Sequence, residues 1–163
     1  MTQPGAKTMQ ETALVAPIVS VIVLRPGDRG PEVLLMRRVN RPAGAWCQIA
    51  GKVKPAETAW QAALRELDEE TGLIPERFYS GDTVEMFYEA RLDRVIVGPV
   101  FVALVPSGSE PRLDAEHDAA GWFRFPEAID RVAFTGQRRV LREIEDTFVT
   151  RNPHPDLEIP LTE

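Results

Sequence analysis

Hydrophobic and polar positions change period several times along the chain, and the changes mark its elements. Residues 14–25 are dense in Val and Ile and predict a buried strand, closed by the turn residues Pro26-Gly27-Asp28. Residues 32–38 predict a second strand, with Gly30-Pro31 making a hairpin to the first. A loop over 40–44 leads to a short extended segment, 46–51. At Thr58 the period lengthens to that of a helix running to Thr71. Trp60, Leu64 and Leu67 fall on one face of it and should enter the core. Thr58 with Gln61 fits a capping box, and Gly72 stands where a helix ends in a left-handed turn. Residues 83–91 and 94–106 read as two further strands, the second carried by β-favouring Val95-Ile96-Val97 and 101–105. A polar loop over 107–118 precedes a short strand at 120–125. Residues 135–149 form a second amphipathic helix, with Val140, Ile144 and Phe148 on one face.

Strands on both sides of a central helix, followed by a closing helix, imply an α/β fold in which a mixed sheet lies between helices. The expected organisation is a polar tail over 1–11, one domain over 12–150, and a Pro-rich extended tail over 151–163. The 163 residues suit one domain, and no internal repeat interrupts it. A net charge of −6 argues against a basic surface for a nucleic-acid polymer. It leaves room for a phosphorylated small molecule if a cation offsets the repulsion. The single cysteine, Cys47, permits no intrachain disulfide, and no apolar run is long enough to span a bilayer. No membrane partner and a cytoplasmic location are therefore expected.

The central helix carries the chemistry. Glu66, Glu69 and Glu70 lie at i, i+3 and i+4, so they share one side. Like charges at this spacing repel, and all three stand near the C-terminus, where the helix dipole disfavours anions. A compensating hard cation, Mg²⁺ or Mn²⁺, suits such oxygen ligands. A glutamate string on a helix is more often a solvated face, and Arg65 could pair with Glu69. The neighbours change that balance. Ala59, Ala62 and Ala63 share the side of Glu66 and Glu70, letting the helix approach the sheet so that the glutamates face a groove. Gly51 supplies a tight turn just before.

From Gly51 to Leu73 the chain resembles the Nudix box, G-x5-E-x7-R-E-U-x-E-E-x-G-U with U a bulky aliphatic residue, at every specified position. The order of elements extends the resemblance to roughly residues 12–150. The resemblance implies an α/β/α sandwich and a divalent-metal-dependent pyrophosphohydrolase. Glu66, Glu69 and Glu70 would hold the metal, with one of them or a later loop glutamate as general base. Glu57 and Arg65, with Gly51 and Gly72, would hold the box in shape. Such relatives are often homodimers, although the sequence itself does not give the oligomeric state. Non-catalytic nucleotide-sensing relatives typically lose box glutamates, and this chain keeps them all.

Outside the box, Glu116 stands where many members of the family carry an acidic residue reaching toward the metals. It is the candidate fourth carboxylate and, with Glu69, the candidate base; an exposed loop glutamate is the competing reading. Trp46 could stack on a base and Arg38 could meet phosphate, against core packing and solvent as plainer roles. Tyr88 lies near where dinucleoside polyphosphate hydrolases of the family carry a tyrosine. Segment order most resembles the bacterial branch that hydrolyses pterin and deoxynucleoside triphosphates. Ala50 and Val53-Lys54 depart from that pattern. The candidate substrates are a nucleoside or pterin triphosphate, a dinucleoside polyphosphate and ADP-ribose.

Overall fold

Pro17 divides the first hydrophobic run. It has no N–H to give to a ladder, so the run becomes β1 (Ala13–Val15) and β2 (Ile18–Arg25) instead of one strand. The freed Pro17 carbonyl accepts from Val53 N at 3.0 Å. A computed structural model describes residues 10–161; most of the expected 1–11 tail lies outside them. The remaining strands are β3 (Glu32–Arg38), β4 (Trp46–Cys47), β5 (Ile49–Lys52), β6 (Arg77–Glu89), β7 (Arg94–Leu104) and β8 (His117–Arg124). The helices are α1 (Ala59–Thr71), α2 (Phe125–Arg131) and α3 (Thr135–Glu145).

The strands form one mixed sheet. β2 pairs parallel with β7 and antiparallel with both β3 and β5, while β8 lies against β3 and β6 against β7. β2 meets β3 only at Leu24 and Arg25, and it meets β5 only from Ile18 to Val21. The short β4–β5 segment thus sits where the two halves of the sheet diverge. Alternation along the strands fills two cores. Val19, Val21, Leu34, Met36 and Ile49 face α1, packing with Ala62, Ala63 and Leu67. Ile22, Leu24, Val33 and Leu35 face α2 and α3, packing with Ala128, Val140, Leu141 and Ile144. Helices therefore cover both faces of the sheet, as the α/β/α pattern requires.

The capping signals of α1 act as the sequence implies. Thr58 and Gln61 satisfy each other's backbone N–H groups, and Gly72 takes a left-handed φ of 67°. Trp60 and Leu64 are only half-buried against the core that encloses Leu67.

Other boundaries differ. β6 begins at Arg77, not Thr83, because Gly81-Asp82 is a bulge inside the strand and not a turn before it: pairing jumps between Ser80 and Val84. A Cβ on Gly81 would fall 2.9 Å from the Val100 carbonyl, so the strands come close there. α2 was not expected; Pro126 starts its first turn, where the missing N–H costs nothing. α3 ends at Glu145, and residues 146–150 widen into a π-helical turn. The segment after it lies along β6. Ile159 N donates to Phe78 O at 2.8 Å, Glu158 pairs with Arg77 at 2.8 Å, and Ile159 packs on the core.

Candidate active site

Three pieces of chain meet at the C-terminal half of α1. They are the end of β5 with the turn that follows it to Glu57, the helix itself, and the 112–117 segment entering β8; Gly51 lies in β5, paired with Val19, and does not make the tight turn the sequence implies. Ala62 and Ala63 are fully buried, so α1 lies close on the sheet and carries Glu66 and Glu70 inward with it. Glu69 points to solvent.

Arg65 organises the outer part. Its Nε donates to Glu57 Oε1 at 2.7 Å and its Nη1 to Glu66 Oε1 at 2.7 Å and Glu69 Oε2 at 3.1 Å. Nη2 reaches Glu57 Oε2 and the Lys52 carbonyl. One guanidinium thus joins Glu57, which precedes the helix, to two of the helical glutamates. Arg65 and the Lys54 N–H hold the Glu57 carboxyl down at about 2. Lys54 Nζ adds a contact to Glu69 at 3.4 Å.

Glu70 is different. It is only 5% exposed, and among the described residues its Oε2 has no hydrogen-bond partner. Burial, then the charges of Glu66, Asp114 and Glu116, push its carboxyl up to about 8, with Arg38 pulling the other way. A buried acceptor left unpaired is costly, and three further carboxylates around it raise that cost. A divalent cation would answer both penalties, and hard oxygen donors are the set it prefers. The residues therefore fit Mg²⁺ or Mn²⁺. Among the described residues, no three metal-ligating side chains already converge on one point. Arg65 holds Glu66 and Glu69 in its own ion pairs, so gathering the ligands requires those side chains to turn.

Glu116 is exposed in the loop, but its backbone is fixed. Its carbonyl accepts from Val39 N at 3.0 Å, and its N–H donates to Asp114 Oδ1 at 3.2 Å. Asp114 Oδ1 also meets His117 Nδ1 at 2.7 Å, and the His117 side chain is buried opposite Arg38 in the β3–β8 ladder. Asp114 is the site residue that sequence reasoning left without a role. Its signal was present: an Asp two positions before Glu116 can accept that residue's own N–H. A cleft of about 190 Å³, lined by Glu69, Glu70, Arg112 and Asp114, opens beside this loop. A larger apolar cavity of about 430 Å³, lined by Leu24, Leu104, Val105 and Phe148, holds none of the candidate residues.

The other candidates are dispersed. Among the described residues, Arg38 Nε is buried without a hydrogen-bond partner, and the guanidinium is close enough to Glu70 to affect it. Trp46 packs edge-on against Phe123 with ring centroids 5.4 Å apart, and Arg37 and Arg131 flank its ring. Tyr88 stands exposed on the β6–β7 hairpin, its hydroxyl donating to Asp93 at 2.8 Å.

A family model described as the NUDIX domain matches residues 15–144. An octanoyltransferase of Myxococcus xanthus is 37% identical over 134 residues, which take in 76% of this chain and 35% of that protein. The chain thus spans about a third of that relative's length. Among solved structures, a binary complex of a C. elegans Ap4A hydrolase superposes with a TM-score of 0.72 at 23% identity, covering 83% of this chain and 98% of that one. The E. coli dihydroneopterin triphosphate pyrophosphohydrolase superposes with a TM-score of 0.63 at 23% identity, covering 81% and 95%. Both structural likenesses carry the fold.

Proposed function

The chain belongs to the Nudix family, and from that premise we propose that residues 12–150 form a Mg²⁺- or Mn²⁺-dependent pyrophosphohydrolase acting on a nucleoside or pterin triphosphate. The observation that carries the reading is Glu70, an unpartnered, buried carboxylate among Glu66, Asp114 and Glu116. Glu66, Glu69, Glu70 and Glu116 would hold the cation. When bound, it would offset phosphate charge and lower the pKa of an attacking water.

The chain's own residues supply the rest. Glu69 or Glu116, both exposed to solvent, accepts the proton of the attacking water. A new P–O bond forms as the bridging P–O bond breaks, and the released oxygen leaves as pyrophosphate with a monophosphate as the other product. Arg38 offers the outer nitrogens of its guanidinium to a phosphate oxygen, since its Nε is buried. Arg65 and Glu57 keep the turn before α1 in place beneath the glutamates. A small phosphorylated metabolite is the partner that a chain of net charge −6 can accommodate once a cation is bound. A cytoplasmic location, from the lone cysteine and the short apolar runs, and a homodimeric state, from the family resemblance, belong to the same reading.

A second reading, hydrolysis of a dinucleoside polyphosphate, draws on the likeness to the Ap4A hydrolase. A panel of nucleoside triphosphates, a pterin triphosphate, diadenosine tetraphosphate and ADP-ribose separates the two by product. Monophosphate with pyrophosphate supports the first reading. A nucleoside triphosphate released from the tetraphosphate supports the second. Full turnover in EDTA would sink both.

A further inference from the structure

On the α3 face of the sheet, a fixed carboxylate plays no part in the chemistry above. Glu85 of β6 is half-buried, and its Oε2 accepts from Ser20 Oγ at 2.5 Å and Gln48 Nε2 at 3.0 Å. Gln48 Oε1 in turn accepts from Gln137 Nε2 at 3.1 Å, and Gln137 Oε1 accepts from Phe134 N at 3.2 Å. Residues of β2, the β4–β5 segment and α3 therefore set the orientation of Glu85. Both donors fall on one oxygen. Among the described residues Oε1 accepts no hydrogen bond, and it is not among the buried unpaired atoms, so it is not sealed from solvent.

Two exposed aromatic residues, Phe87 on β6 and Phe134 at the start of α3, belong to the elements that carry this network. Helix α3 runs antiparallel along β6: Glu143 accepts from Thr83, Arg139 Nη2 donates to Val84 O at 2.7 Å, and Gly136 lies against the Met86 carbonyl. That progression brings Phe134, just before α3, to the level of Phe87. Phe87 shares the face of Glu85 by the two-residue period of a strand. The rings are 46% and 56% exposed. Opposite Glu85 in the ladder stands Gly98, whose missing side chain lets Ile18 lie close against it. The Cys47 thiol, next to Gln48 in the chain, feels the charges of both Glu70 and Glu85. The two carboxylates thus flank one short segment, Glu70 on the side of the proposed phosphates and Glu85 on the other.

We infer that Glu85, Phe87 and Phe134 form the base-reading half of the substrate site, and that the base is a bicyclic ring presenting an adjacent ring N–H and amino group, as guanine and pterin do. The inference rests on the pyrophosphohydrolase reading above and gives its substrate class. Aromatic faces stack on the flat ring. The free carboxylate oxygen accepts a charge-assisted bond from the N–H edge. Adenine turns a ring-nitrogen lone pair toward the carboxylate beside its amino group. Pyrimidines offer less surface to the two rings.

The test is kcat/KM for guanosine, pterin, adenosine and uridine triphosphates with wild type, Glu85→Gln, Phe87→Ala and Phe134→Ala. Wild type should prefer the guanine and pterin substrates, and preference for one of them over the other identifies the source. In Glu85→Gln the guanine-to-adenine ratio should fall by about tenfold or more. Because Glu85 also anchors Ser20 and Gln48, the exposed rings give an independent check: each Ala variant should raise KM for guanine while its melting temperature holds. Calorimetric titration of guanosine monophosphate without divalent metal measures the subsite apart from the chemistry. Binding lost in Glu85→Gln with no triphosphate hydrolysed by wild type would keep the subsite and sink the pyrophosphohydrolase reading. Equal wild-type kcat/KM across the bases, or a preference that Glu85→Gln leaves untouched, overturns the inference.

Discussion

Glu66 lies across the bare Cα of Gly51 so closely that a Cβ on the glycine would fall 2.0 Å from Glu66 Cδ and 2.2 Å from Oε1. The glycine is needed for this approach, since its φ is not in the left-handed region. Gly51→Ala should displace the Glu66 carboxyl, which is the end of a flexible side chain, more than it disturbs the core. Turnover is expected to fall by about a hundredfold, which is about 2.7 kcal/mol of transition-state stabilisation, while the melting temperature changes little. Initial rates with saturating Mg²⁺ and thermal melts of the same samples measure the two effects. A variant that melts far below wild type would mean that Gly51 serves the fold first.

Glu70→Gln keeps the shape of the side chain and removes its charge. As a metal ligand, Glu70 is expected to contribute about a hundredfold or more to the rate. Stability in EDTA should show its pH dependence. The folded carboxyl is pushed up to about 8 from an ordinary 4.5, so the folded state binds the proton more tightly than the unfolded chain does. That stabilisation is complete below the ordinary value and is lost as pH rises through the folded one. In metal-free buffer, the wild-type melting temperature should therefore fall relative to Glu70→Gln between about pH 5 and about pH 9. A gap that stays constant with pH would remove Glu70 from its buried, charge-crowded setting.

Arg65→Ala releases Glu57, Glu66 and Glu69 from one guanidinium. Without metal, the melting temperature is expected to drop by about 5 °C or more. Added Mg²⁺ should recover part of that loss, since a cation replaces some of the missing positive charge. The same drop with and without Mg²⁺ would show that Arg65 acts only on the turn that carries Glu57.

Glu116→Gln should slow turnover by about tenfold or more if its carboxylate reaches the metal or the water, with no change in melting temperature because the side chain is exposed. Asp114→Ala should lower the rate in the same direction by freeing the Glu116 N–H. Wild-type rates in both variants at saturating metal would make the loop a bystander.

Much of the site could be read from the sequence because helical spacing is rigid: the capping box, Gly72 and the inward alanines of α1 stand where their pattern put them. Loop and interstrand relationships were less legible. Nothing local in the sequence joins Glu57 to Glu66; Arg65, next to Glu66 in the chain, does that by reaching back eight residues to Glu57. Asp114 acts through a backbone N–H that any residue at 116 would offer. The network of Ser20, Gln48, Glu85 and Gln137 depends on four elements meeting, and each of these residues is unremarkable in its own segment. α2 was missed for a similar reason. Its seven residues are too few to establish a period, and Ala128, fully buried against the sheet, fixes it by tertiary packing.

The parallel ladder between β2 and β7 joins residues 20–24 to residues 100–104. Until synthesis has passed Leu104, the edge of β2 that faces β7 stays unpaired on a strongly hydrophobic strand. Early assembly must then rest on the β2–β3 hairpin and α1, with the slow closure of a long loop before the central ladder can form. That interval is when this chain is most open to association with other copies of itself. Yield on expression should therefore depend more on temperature and synthesis rate than the finished protein's stability would suggest.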